Sequence, residues 1–138
     1  MATPTERENK TMRKKIALLA GGYSGEYVIS IKTAETIEKN LDADRFEVYK
    51  IIVTKDEWYH DHNGSHIQVD KNDFSLLVDG NKVVFDCVFI AIHGTPGEDG
   101  RIQGYLDMLN IPYTTCNSIV SALTFNKSYC NKVVKSFN

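Results

Sequence analysis

Between Lys14 and Leu41 the sequence runs through a short apolar stretch, a glycine-rich turn and an amphipathic segment, and this succession constrains the fold more than any other part of the chain. Lys-Lys-Ile-Ala-Leu-Leu-Ala, residues 14–20, has the unbroken apolar character of a parallel strand buried on both faces. Val28, Ile31, Ala34, Ile37 and Leu41 recur every three or four residues, which predicts the buried face of a helix. Gly21-Gly22-Tyr-Ser-Gly25-Glu26 joins the two pieces. Strand, turn and helix together set the Glu26 carboxylate at the C-terminal edge of a sheet, the edge along which open α/β sheets bind their ligands.

The rest of the chain continues the pattern. Phe46–Val53 is β-branched and apolar and reads as a second strand. Two hairpins are expected between 54 and 85. Glu57–Tyr59 and His66–Val69 flank Asn63-Gly64, and Phe74–Val78 and Lys82–Phe85 flank Asp79-Gly80, both strong hairpin-turn signals. Asp86–Ile92 returns to the buried-strand pattern and gives way to His93-Gly-Thr-Pro-Gly-Glu-Asp-Gly100. Asp99 is the expected N-cap of a helix carrying Ile102, Tyr105, Leu106 and Leu109. Ile111–Tyr113 reads as a very short strand, and Asn117 as the cap of one final helix that is still running at Asn138. This order predicts the α/β class: a Rossmann-like parallel sheet flanked by helices, with right-handed crossovers and inserted antiparallel hairpins.

Composition narrows the function. A net charge of −2 and the absence of a Lys/Arg stripe interleaved with aromatics argue against nucleic acid as a partner. No apolar run approaches the ~20 residues of a membrane span, and Met1–Thr11 lacks the apolar core of a secretory signal. Cys87, Cys116 and Cys130 are odd in number and show no CxxC spacing, as expected of free thiols in a reducing cytoplasm. His60, Asp61, His62 and His66 crowd the first hairpin, but a metal needs its ligands on one supported face. They read by default as a solvated hairpin tip, and no metal site is expected. A dinucleotide fingerprint would need glycine at position 20, which is alanine, and an acid closing the second strand, which ends Val53-Thr-Lys.

Two residues remain as candidates for chemistry. Glu26 follows the twin glycines and either partners the helix dipole or faces a ligand. His93 ends an apolar strand at the same rim, before glycines whose amides allow close approach of an anion. Two strand ends converging on one edge favour a ligand site there. Lys127, on the last helix, is by default a solvated lysine.

The set Ile16-Ala-Leu-Leu-Ala-Gly-Gly-Tyr-Ser-Gly-Glu26, Ser30, His93-Gly-Thr-Pro-Gly-Glu-Asp-Gly100, Ile102-Gln-Gly104, Ile111-Pro-Tyr-Thr114 and Ser121-Ala-Leu-Thr-Phe-Asn-Lys127 closely resembles the N-terminal domain of the bacterial D-alanine–D-alanine ligases, which are ATP-grasp enzymes. The resemblance spans Met12 to the C-terminus. It implies a pre-ATP-grasp, Rossmann-like domain ahead of central and C-terminal domains that hold most of the ATP and magnesium. The implied reaction phosphorylates one D-alanine on its carboxylate and lets the amine of a second attack, giving the dipeptide used in peptidoglycan.

By this resemblance Glu26 is the catalytic residue, holding the first D-alanine's ammonium. Ser30, supporting the pocket wall, and His93, beside the substrate carboxyl region, are substrate-binding residues; Lys127 is nucleotide-binding, and no metal ligand lies in this chain. Val28 stands where relatives often carry a second acid, and Asn126 where an acid commonly precedes the lysine. The implied partners are D-alanine, ATP, the central and C-terminal domains of the same polypeptide and a second copy in a homodimer, all in the cytoplasm. Residues 1–12 are then a disordered extension, 13–116 the N-terminal substrate domain and 117–138 the truncated start of the next domain. The chain alone is expected to show no turnover. Two other readings stay open: a stand-alone Rossmann-like binding or interaction module, and a ligase joining D-alanine to D-lactate or D-serine.

Overall fold

The computed structural model describes residues 12–137. The expected disordered extension, residues 1–12, lies outside the described residues except for Met12, whose side chain is exposed. The elements are β1 (Lys14–Gly21), α1 (Tyr27–Asn40), β2 (Phe46–Val53), β3 (Trp58–His62), β4 (Ser65–Gln68), β5 (Leu76–Val78), β6 (Asn81–Val83), β7 (Cys87–Ile90), α2 (Arg101–Met108), α3 (Ser118–Phe125) and α4 (Lys127–Lys135). The main sheet runs β4-β3-β2-β1-β7. β1 is central and pairs in parallel with β2 and β7, from Lys14 opposite Phe46 to Gly21 opposite Val53 and from Ile16 opposite Cys87 to Leu19 opposite Ile90.

The unbroken apolar run of β1 follows from burial on two sides. Ala17 and Leu19 point into one core with Ile51, Val53, Phe74, Leu76, Val83, Ile102 and Leu106, so this face is covered by the β5–β6 hairpin and α2. Leu18 and Ala20 point the other way, onto α1, with Ile52, Ala34 and Ala91. Burying a leucine such as Leu18 or Leu19 stabilises the fold by about 1.5–3 kcal/mol, and alternation places consecutive residues of β1 in both cores. At its N-terminal end the sheet is pinned by Asp86, whose carboxylate accepts from Lys15 N at 2.8 Å. That backbone bond, with Lys14 alongside, holds the Asp86 carboxyl below the usual carboxylate range.

Both hairpins form on the expected turns. Asn63 and Gly64, and likewise Asp79 and Gly80, have positive φ at both central positions, the geometry that matches the strand twist. The first hairpin extends the edge of the main sheet through β2, while the second is a separate two-stranded sheet. Ile111–Tyr113 contributes one parallel bridge, Tyr113 to Val88, flanked by Val88 N donating to Pro112 O at 2.8 Å.

Three expectations need correction. Of the expected face of α1, Ala34 is buried and Ile31 and Ile37 pack against the core, but Val28 is 61 % exposed and Ser30 takes the second fully buried place, small enough for the helix to lie close on the sheet. The cap position of α2 is Gly100, not Asp99, because Gly100 takes the left-handed conformation while the Asp99 carboxylate turns to the Arg101 N–H. Finally, the C-terminal helix is two helices. Asn117 caps α3 through Val120 N as expected, but Asn126 is extended and caps a new helix, α4, by accepting from Tyr129 N at 3.1 Å.

Candidate functional site

Two loops at the C-terminal ends of β1 and β7 form the rim. Gly21 and Gly22 both have φ near +100°, and a Cβ on Gly21 would stand 2.7 Å from Val53 O, while one on Gly22 would stand 2.6 Å from Ile92 Cγ2. Only glycine allows this loop to pass so close to its neighbours. The loop is then stitched to the next one by Tyr23 N donating to Thr95 O at 2.9 Å and Ser24 Oγ donating to His93 O at 2.9 Å. Ser24 Oγ also accepts from Glu26 N at 3.2 Å, which orients the residue that opens α1.

Glu26 and His93 face one another across this rim. Glu26 Oε2 lies 3.9 Å from His93 Nδ1, with the glutamate side chain 57 % exposed and the imidazole 35 %. The other imidazole nitrogen, Nε2, is 3.1 Å from Thr33 Oγ1 on α1. In the histidine loop, Glu98 Oε2 accepts from Gly94 N at 2.9 Å, and Gly97 N and Glu98 N both donate to Gly94 O, which closes the loop on itself.

Ser30 sits behind the rim and is fully buried. Its hydroxyl donates to Ala91 O at 2.7 Å and accepts from Gly21 N at 2.9 Å, so one side chain of α1 ties the end of β1 to the segment that follows β7. It holds the wall from the inside. Lys127 is not at the Glu26–His93 rim: at the start of α4 and exposed, it lines a cavity of about 420 Å³ with Gly97, Glu98, Gln103, Thr124 and Phe125. Loop 94–98 thus contributes residues to both the rim and this cavity. Gln103, fully buried, anchors the loop from below, its Nε2 donating to Gly97 O at 2.6 Å and to Thr115 Oγ1 at 2.9 Å.

The hairpin histidines are engaged separately: His60 Nδ1 with Lys50 O, His62 with Asp79, and His66 stacked on Tyr59 at 3.6 Å between centroids. Among the described residues no three His, Cys, Asp or Glu side chains group closely enough to hold a metal ion. The cysteines among them are free thiols, and burial raises the pKa of Cys87. No helix of the described residues is long and apolar enough to cross a membrane.

Sequence reasoning singled out Glu26, Ser30 and His93, and the fold brings all three to one corner. It missed Thr33 and Ser24. The signal for Thr33 was present: Glu26, Ser30 and Thr33 stand at i, i+4 and i+7, a polar line down one side of an otherwise apolar-patterned helix.

Comparison with known proteins gives a consistent set of relatives. Residues 15–116 match the protein family described as D-ala D-ala ligase N-terminus. The D-alanine–D-alanine ligase of Parabacteroides distasonis is 51 % identical over 127 residues, 91 % of this chain and 38 % of that protein. Among solved structures, D-alanyl-alanine synthetase A of Vibrio cholerae is 34 % identical with a TM-score of 0.80, covering 90 % of this chain and 37 % of that one. The D-alanine–D-alanine ligase of Bacillus anthracis complexed with ATP is 28 % identical with a TM-score of 0.65, covering 89 % of this chain and 36 % of that one. The chain spans about two fifths of the length of the curated relatives it matches.

Proposed function

The chain belongs to the D-ala D-ala ligase N-terminus family, and on that premise we propose that it is the substrate domain of an enzyme that joins two D-alanines with ATP in the cytoplasm, for peptidoglycan. The observation that carries this reading is the pairing of Glu26 with His93 across an open rim, 3.9 Å apart, in a chain with this family's sequence. A carboxylate with its oxygens free toward solvent attracts an ammonium and forms a charge-assisted bond with it. Glu26 therefore holds the amino group of the first D-alanine and fixes its orientation. His93 stands beside the substrate's carboxyl region, and Ser30 keeps the wall between them in place.

Lys127 is assigned to the nucleotide. A lysine ammonium suits a phosphate, and the cavity it lines adjoins the loop that carries His93. ATP supplies the phosphoryl group that activates a carboxylate. By the family resemblance, magnesium and most nucleotide contacts are assigned to the central and C-terminal domains. Residues 117–138 are taken as the start of the next domain. The family match ends at residue 116, and α3 and α4 turn Ile119, Phe125, Tyr129 and Val134 outward. The enzyme is read as a homodimer, and the chain by itself as lacking turnover.

The test is a phosphate-release assay on the enzyme that contains this chain. Release should depend on D-alanine and not on L-alanine. Glu26→Gln should lower kcat/KM at least about a hundredfold, since it strands a desolvated ammonium without its counter-charge. Undiminished turnover in that variant, with the fold intact by circular dichroism, would take Glu26 out of the mechanism.

A further inference from the structure

His93 has two ring nitrogens, and their surroundings differ. Nε2 is 3.1 Å from Thr33 Oγ1, within hydrogen-bond distance. Nδ1 is 3.9 Å from Glu26 Oε2, beyond it. In a neutral imidazole one nitrogen carries the proton and the other a lone pair, and a fixed hydrogen bond at one of them decides which.

The Thr33 hydroxyl makes that decision. A threonine hydroxyl has one proton to give and lone pairs to accept with. Ile29 O lies 3.0 Å from Thr33 Oγ1, one turn back along α1, and as a carbonyl it can only accept, so the Thr33 proton is assigned to it. What Oγ1 then presents to the imidazole is a lone pair, and a lone pair needs an N–H opposite it.

We infer that Thr33 is a positioning residue that fixes the tautomer of His93, holding the proton on Nε2 and leaving the Nδ1 lone pair open to the rim beside Glu26. The inference rests on reading this rim as the amino-acid site, and it moves the histidine's contact from the substrate's carboxyl region to the neighbouring ammonium. The rim then offers two acceptors 3.9 Å apart, a carboxylate oxygen and an imidazole nitrogen. One primary ammonium has three N–H donors and can bridge both from a position about 2.9 Å from each. In the opposite tautomer Nδ1 would itself be a donor, and an incoming ammonium would meet an N–H instead of a lone pair. Thr33 thereby selects for a cationic amine, acting through His93 and touching no substrate. The same helix carries both halves of the arrangement: Glu26 immediately precedes α1, and Thr33 lies two turns along it.

The test is ¹⁵N NMR of the imidazole nitrogens in the enzyme that contains this chain, labelled at histidine, at about pH 9, well above the ordinary imidazole range, with His93 assigned by the signals lost in His93→Gln. The wild type should show Nδ1 in the pyridine-like range and Nε2 in the pyrrole-like range. Thr33→Val, equal in shape but without the hydroxyl, should shift His93 toward the Nδ1–H form, and Thr33→Ser should restore the wild-type pattern. An Nδ1–H signature in the wild type, or a Thr33→Val chain that is folded by circular dichroism and keeps the wild-type pattern, would overturn the assignment. No substrate is used, so this outcome is independent of whether the enzyme releases phosphate with D-alanine.

Discussion

A single hydroxyl holds the corner on which the rim is built. Ser30 Oγ satisfies Gly21 N and Ala91 O together, with no access to water. Ser30→Ala leaves both backbone groups buried and unpaired, so stability should fall by about 2–4 kcal/mol in urea unfolding. A loss below about 0.5 kcal/mol, the range of an ordinary surface substitution, would mean the hydroxyl does not fasten the two strand ends. Glu26 and His93 were legible in the sequence because each sits beside glycines where an apolar run stops, and that punctuation fixes their place on the sheet edge. Ser30 was legible only through resemblance; nothing in its neighbours says that it is buried. Thr33 escaped notice because threonine in mid-helix reads as a solvated residue, and its partner lies 60 positions away in sequence.

Helix and hairpin boundaries separate the local signals from those that need the whole fold. Asn126 is a helix cap of the ordinary kind, its side chain accepting from Tyr129 N. Asn126→Ala should cost about 1 kcal/mol and speed amide exchange across α4, with little change in β1 or β2. Equal protection of α4 in both chains would show the cap to be idle. The sequence reading ran one helix through this point because an apolar pattern continues on both sides, and an asparagine mid-pattern does not announce a break. Hairpin turns were readable, since Asn-Gly and Asp-Gly supply the positive φ that such turns require. That β3 would add to the edge of β2 was not, because pairing partners are chosen by contacts distant in sequence.

At the scale of the molecule, burial on both sides of β1 was evident from its composition, but the covering of one face by the second hairpin and α2 was not. Two phenols, Tyr49 and Tyr105, are half-buried against that core. Tyr105, bonded to Lys71 O at 2.7 Å, is pushed up to about 12 by burial, and Tyr49 to about 12 by burial and then by its bond to Glu47. In the unfolded chain both ionise near 10, so above that pH the unfolded state loses protons first. Their contribution to stability is therefore complete below about pH 10 and is lost as the pH rises through about 12. Urea midpoints should fall between about pH 8 and about pH 11, and Tyr105→Phe should flatten the fall. A slope unchanged in that variant would dissociate Tyr105 from it.

The break at Asn126 also has a geometric meaning. One extended residue, with φ −91° and ψ 98°, is all that separates α3 from α4. The nine residues of α4 make a rod about 13 Å long. A ten-degree rotation about either torsion of that asparagine swings the rod's far tip by up to about 2 Å. Whatever travels on that tip is steered from a single swivel, while the carboxylate and imidazole behind it stay still.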